Sequence, residues 1–168
     1  MSAQHDAADG GAARGATSVR VDAWRRGDYV ISTDPTRLDH AAIHDFLARQ
    51  SYWARDIPAD VVARALANSL CFGLYTAAGA QVGLARVVTD RATVGYLADV
   101  YVLPEHRGRG LSKWLMRVIV EHPELQGFRR WSLLTRDAHG LYRQVGFAPL
   151  AAPERWMERR APDVYAKR

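Results

Sequence analysis

Cysteine is nearly absent. Cys71 is the only one in 168 residues, so no internal disulfide framework exists, and with six histidines scattered along the chain no zinc-ligand spacing appears and no metal is expected. Cys71 lies in an apolar run and reads as a small buried hydrophobe rather than a nucleophile. Long hydrophobic stretches are missing too: nothing approaches the ~20 apolar residues of a membrane-spanning helix. The N-terminus has no charged start followed by an apolar core, so no membrane partner and a cytoplasmic address are the expectations. Blocks of one charge are also lacking. The net charge of +5 is dispersed, which argues against a nucleic-acid partner and leaves a polyanionic ligand to account for part of the excess.

What is present suits one domain with a real core, with apolar residues at 48%. Residues 1–18 carry no large apolar side chain after Met1 and cannot repay the entropy of ordering, so they read as a disordered leader to a single domain spanning 19–168. Tyr29-Val30-Ile31 predicts a strand ending at Asp34-Pro35. Ile43, Phe46 and Leu47 mark a helix face running to about Gln50, and a second helix spans Ala59 to about Asn68. Leu70 to Thr76, Val82 to Thr89 and Thr93 to Leu103 read as an antiparallel meander, its first two strands joined by a hairpin at Gly79. Trp131 to Thr135 reads as another strand, and Asp137 as the N-cap of a short helix ending at Gly146. Phe147 to Leu150 and Arg155 to Met157 are candidates for closing strands, with edges through which two copies could pair as a homodimer.

Residues 99–112, DVYVLPEHRGRGLS, hold the strongest local signal. A strand enters Pro104, then a basic glycine turn, then a helix whose Leu111, Trp114, Leu115, Val118 and Ile119 form one apolar stripe. Gly108 and Gly110 allow close backbone approach, the helix start presents outward N–H groups, and Arg107 and Arg109 add positive charge: the features of a pyrophosphate cradle. The P-loop spacing and the G-x-G-x-x-G fingerprint both fail here.

The turn resembles the acyl-CoA signature Q/R-x-x-G-x-G/A of the GNAT N-acetyltransferase superfamily. Arg107 and Gly110 match, and Ser112 stands where Gly or Ala is usual. A second stretch, Thr135 to Phe147, looks like that family's N-x-x-A-x-x-L-Y-x-x-x-G-F, with Ala138, Leu141, Tyr142, Gly146 and Phe147 in place and Thr135 where Asn is usual. Neither motif is specific alone. Together, in the matching order of elements, they extend the likeness over roughly residues 27–158.

The resemblance implies an α/β (α+β) fold, a central mixed and mostly antiparallel sheet flanked by helices, with a splayed central strand. It implies acetyl-CoA as acyl donor, cradled by Arg107, Gly108, Arg109, Gly110, Leu111 and Ser112, and a backbone N–H at Val100, Tyr101 or Val102 that polarises the carbonyl on a bulged strand. Tyr142 matches the tyrosine that protonates the departing thiolate; packing between helix and sheet is its other reading. Asp99 is a candidate general base, or equally a structural carboxylate bonded to backbone or to Arg86. His106 and His139 are weaker candidates, each in an exposed turn. Arg86 and Asp90 read as a salt bridge or as a substrate clamp. Aromatics in the loop Ser51 to Pro58 have reason to cover something, so Tyr52 and Trp53, with Tyr96 and Tyr101, are expected to shape an acceptor pocket. The implied function is N-acetylation of a small amine, with a peptide or protein amine, or a non-catalytic acyl-CoA binding module, as alternatives.

Overall fold

A computed structural model of the chain describes residues 20–165. The expected leader therefore lies outside the described residues. Six strands form one sheet in chain order: β1 (Ala23–Arg26), β2 (Tyr29–Ser32), β3 (Leu70–Thr76), β4 (Gln81–Thr89), β5 (Val94–Val102) and β6 (Arg130–Leu133). All neighbours are antiparallel except β5 and β6, which run parallel across the helix α3 (Leu111–Val120). This is the mixed, mostly antiparallel architecture expected.

Helices cover both faces, which is why β3 and β4 are apolar on both sides. One layer packs α1 (His40–Asp45), the turn after it and α2 (Ala59–Ala67) through Ile43, Phe46, Leu47, Val62 and Leu66 onto Cys71, Leu84 and Tyr101. The other sets Leu111, Leu115, Met116 and Ile119 of α3 against Phe72, Leu74, Val87 and Leu97. After Asp45 the α1 helix widens, with Ser51 N–H reaching Phe46 O at 3.0 Å, and Ser51 ends it by donating to Leu47 O and accepting from Ala54 N–H. Cys71 is buried as expected, and burial pushes its thiol up to about 12. Among the described residues no helix is long and apolar enough to cross a membrane, and no group of three His, Cys, Asp or Glu could hold a metal ion.

Two sequence expectations fail at the ends. β1 was not anticipated, because Ala23-Trp24-Arg25-Arg26 is a mostly exposed edge strand without alternation; it is held to β2 by a two-residue Gly27-Asp28 loop with Gly27 at φ 53°. The closing strands do not form. Phe147 to Leu150 is turn, and Arg155 to Met157 leaves a short turn as non-ladder chain, since Pro149 and Pro153 bring no N–H to a ladder. Among the described residues the outermost strands of the sheet are β1 and β6.

Close packing between β4 and β5 depends on Gly83. A Cβ there would stand 2.7 Å from the Tyr101 carbonyl oxygen and 3.1 Å from Leu74 Cδ2, and the nearer atom is backbone that cannot turn away. Gly83→Ala is expected to cost about 1–3 kcal/mol, seen as a lower urea midpoint at an unchanged slope.

Beyond α3, His122 is 2% exposed and sits edge-on to Trp24 and Phe72. Its Nδ1 accepts from Glu124 N–H at 3.2 Å, which puts the proton of the neutral ring on Nε2, 3.3 Å from Asp22 Oδ2 but off the line of a hydrogen bond. Burial lowers the His122 pKa, outweighing the pull of Asp22 and Glu124 in the other direction. The unfolded chain therefore takes up the proton first. Stability is full above the unfolded value near ~6.5 and falls as pH drops through it toward the lower folded value. Urea midpoints at neutral and mildly acid pH should show this loss in the wild type, and less of it in His122→Phe.

Candidate functional site

β5 ends at Val102 and passes through the turn Pro104–His106 into Arg107, Gly108, Arg109 and Gly110. Gly108 and Gly110 take φ 76° and 68°, the left-handed region that glycine enters without steric cost. A Cβ at Gly108 would meet nothing within 4 Å, so conformation rather than crowding demands glycine there. Gly110 caps α3 with no side-chain bond, and the first helical bond is Trp114 N–H to Gly110 O at 3.1 Å. The N–H groups of the first turn thus remain for an anion. Leu111 is buried and anchors the turn, and Ser112 is half-buried beside it. Arg107 folds back, its Nε donating to Val102 O at 2.8 Å, while Arg109 is exposed and its carbonyl accepts from Arg26 Nη2 at 3.0 Å.

β6 leaves β5 early. The two are paired only from Val94↔Arg130 to Leu97↔Leu133, so Ala98–Val102 has β4 on one side and no strand on the other. This is the expected splay. The expected bulge is present as well: Leu84 faces Tyr101 and Arg86 faces Ala98, so Asp99 and Val100 together oppose Ala85. Asp99 adopts φ 51°, a conformation that Asp tolerates better than most residues. Leu103 N–H donates to Val82 O on β4, while Val102 O turns to Arg107. Alternation then directs the Val100 main chain to the open side and that of Tyr101 toward β4.

A cavity of about 520 Å³ fills the splay. Ala98, Asp99 and Val100 form one wall, residues 134–138 and Tyr142 the opposite one, and Tyr52, Trp53 and Tyr96 the rim. Tyr142 lies on α4 (His139–Arg143), which begins where Thr135 Oγ1 accepts from Ala138 N–H at 3.1 Å. Asp137, the expected N-cap, is instead exposed beside Arg136. Gly146 at φ 91° ends this segment as expected, with Phe147 N–H returning to Tyr142 O. The Tyr142 ring is 9% exposed, and burial pushes its phenol up to about 12, with lesser contributions from Tyr52 and Asp137.

Asp99 has a partner at each oxygen: Trp53 Nε1 donates to Oδ1 at 3.0 Å, and Arg86 Nε to Oδ2 at 2.7 Å. Arg86 also donates to Ser69 Oγ at 3.0 Å. Arg86 is thus paired with Asp99, not with Asp90, whose carboxylate accepts from the Thr93 hydroxyl and from Thr93, Ala92 and Val94 N–H in the β4–β5 turn and is held well below the usual range by those bonds, the Thr93 hydroxyl first. The strap carrying Trp53 is fastened at a second point, where Tyr52 Oη accepts from Arg136 N–H at 3.0 Å and the Arg136 guanidinium lies 3.8 Å over the ring. Tyr96 lines the cavity on one side and a shallow depression near Trp156 on the other. Tyr101 does not line it: its ring, 7% exposed, stacks on Phe46 at 3.7 Å in the α1–α2 layer, so the expected acceptor wall loses that member. His106 is engaged by Tyr29 Oη at 2.9 Å, and neither it nor His139 lines the cavity.

Arg26 and Arg136 escape sequence reasoning. Each reaches its partner across more than 80 residues of chain, and nothing local to either marks it.

The model of the acetyltransferase (GNAT) family matches residues 40–147. A Gibberella zeae protein, provisionally named an acetyltransferase, is 42% identical over 140 residues, covering 71% of this chain and 78% of its own. A Xanthomonas campestris structure assigned to the GNAT family superposes with a TM-score of 0.80 at 52% identity, over 82% of this chain and 96% of that one. A Clostridium acetobutylicum protein solved with acetyl-CoA shares the fold alone, at a TM-score of 0.50 and 13% identity, over 84% of this chain and 95% of that one. The matched region takes in the glycine turn, the splayed β5 and the Tyr142 helix, and on that footing the chain belongs to the GNAT acetyltransferase family.

Proposed function

We propose that this acetyltransferase moves an acetyl group from acetyl-CoA to the primary amine of a small molecule. The observation that carries the reading is that one cavity holds the open Val100 main chain, the Tyr142 phenol and the Asp99 carboxylate. Acetyl-CoA supplies the acetyl group as a thioester. The N–H groups from Gly108 to Ser112 fit its diphosphate, as the left-handed glycines and the uncapped start of α3 suggest. Val100 N–H donates to the acyl oxygen as negative charge develops there. Tyr142 gives its proton to the sulfur as the C–S bond breaks and is restored by the second proton that nitrogen sheds as the amide forms. An alkyl amine near ~10.4 is almost wholly protonated at neutral pH, so a proton must leave before nitrogen attacks carbon. Asp99 receives it, directly or through water; with both oxygens already bonded, either Trp53 gives way or a water carries the proton.

Tyr52, Trp53 and Tyr96 contact the body of the acceptor. The strap tied to Asp99 and Arg136 narrows the entrance, and a volume of about 520 Å³ favours a small molecule over a peptide or protein. Acetyl-CoA turnover read as free thiol, against a panel of amines and amino-terminal peptides, tests the reading. Thiol release with small amines supports it. Release with peptides alone moves the acceptor class, and CoA binding without release to any amine leaves a binding module.

A further inference from the structure

We infer that Arg26, outside both sequence motifs, is a positioning residue for the phosphate cradle, and that the β1–β2 hairpin sets how firmly the glycine turn holds CoA. The inference rests on the acyl-CoA reading above.

The hairpin grips the turn on both flanks. On one side Tyr29 Oη and His106 Nδ1 are 2.9 Å apart with their rings edge-on, which secures the segment leaving β5. On the other, Arg26 Nη2 donates to the Arg109 carbonyl at 3.0 Å, and its guanidinium lies 4.9 Å over the Trp114 ring, one turn into α3. Between these points the chain runs through Arg107, Gly108, Arg109 and Gly110, all exposed, with two glycines in left-handed conformations and no side-chain cap on the helix.

Such a turn loses much freedom when it closes on a ligand, because glycine has more conformations to give up than any other residue. A clamp that fixes it beforehand removes that cost from binding. The Arg26 bond also has a direction. In a planar trans peptide the carbonyl and the following N–H point opposite ways, so holding the Arg109 oxygen toward the hairpin aims Gly110 N–H away from it. Arg26 therefore orients a cradle donor without occupying the cradle.

Arg26 is an exposed residue of an edge strand, so Arg26→Ala keeps the core intact, as circular dichroism and a urea midpoint would verify. Calorimetry with CoA and steady-state kinetics with acetyl-CoA are then compared between wild type and variant. Expected is a CoA Kd weaker by about tenfold, the scale of one charge-assisted hydrogen bond, with a matching rise in the acetyl-CoA KM and an unchanged kcat. Arg26→Lys, which keeps a donor but not the flat stacking face, should recover part of the loss. A positioning role predicts that the variant-to-wild-type ratio of Kd persists between about 0.1 M and about 1 M salt, whereas a bare charge effect collapses over that range. Equal CoA affinity in wild type and Arg26→Ala, or a ratio that falls to one in high salt, overturns the inference and leaves the acyl-CoA reading standing. A wild-type protein that binds no CoA overturns both.

Discussion

Phe in place of Tyr142 is expected to lower turnover by about 10²- to 10³-fold, the range of a lost general acid, while CoA binds as before. The substitution removes one oxygen from a ring that keeps its contact with Phe147 and its place in the core beside α3. A structural tyrosine would tolerate that change; an acid would not. Single-turnover thiol release set beside CoA calorimetry separates the two. The pH dependence follows from burial. With the phenol pushed up to about 12, Tyr142 holds its proton throughout the neutral and moderately alkaline range, so any alkaline fall in kcat below about pH 11 belongs to another group. The free thiol of CoA, like a cysteine, ionises near ~8.5, which would make transfer from such a phenol unfavourable in water. Inside the splay the same desolvation that raises the phenol also penalises the thiolate, and the gap narrows.

Substituting Asp99 should have the second largest effect, on stability and activity together. Asp99→Ala leaves the Arg86 guanidinium, 16% exposed, without its carboxylate and takes the acceptor from Trp53 Nε1. The expected loss is toward the lower end of the ~3–5 kcal/mol for breaking a buried ion pair, because both side chains keep slight exposure. Asp99→Asn is the sharper variant. Asn accepts a left-handed backbone as readily as Asp and its one oxygen can still accept from Trp53, which keeps the strap; its NH2 then faces Arg86 Nε, so part of the stability loss stays and is read separately from activity by the urea midpoint. If Asp99 takes the acceptor's proton, Asp99→Asn lowers turnover by about 10²-fold near neutrality, and the deficit shrinks as rising pH deprotonates the amine in solution. A uniform deficit at every pH would assign the carboxylate to holding Trp53 and Arg86 in place.

What the sequence made legible was local. The stripe from Leu111 to Ile119 announces a helix because its period is set within a few turns, and Gly108, Gly110 and Gly146 announce their turns because few other residues adopt those angles without strain. The order of the elements and the two motifs then reached the fold and one side of the site. Contacts made by distant parts of the chain were not legible. Nothing about Trp53 foretells a bond to Asp99, nor does Tyr52 foretell Arg136. Tyr101 was read as a wall of the acceptor pocket from its neighbours in sequence, but its orientation depends on the backbone conformation of Asp99 two positions earlier. β1 was hidden for a different reason: an edge strand that buries little needs no apolar alternation.

That conformation at Asp99 reverses the parity of β5. Leu97 points into the layer of α3, and in an uninterrupted strand Tyr101, four residues on, would follow it while Val102 pointed away. Both are inverted: Tyr101 enters the layer of α1 and α2, and Val102 rejoins α3. One surplus residue thus acts as a phase shift, letting a single strand hand its side chains to the two helical layers in one order before the cleft and in the opposite order beside it. The surplus residue is what keeps this order: a β5 of the same length without the bulge would carry the Tyr101 phenol into the wrong layer, whereas one residue fewer would leave Tyr101 opposite Leu84 and remove the bulge beside the cleft.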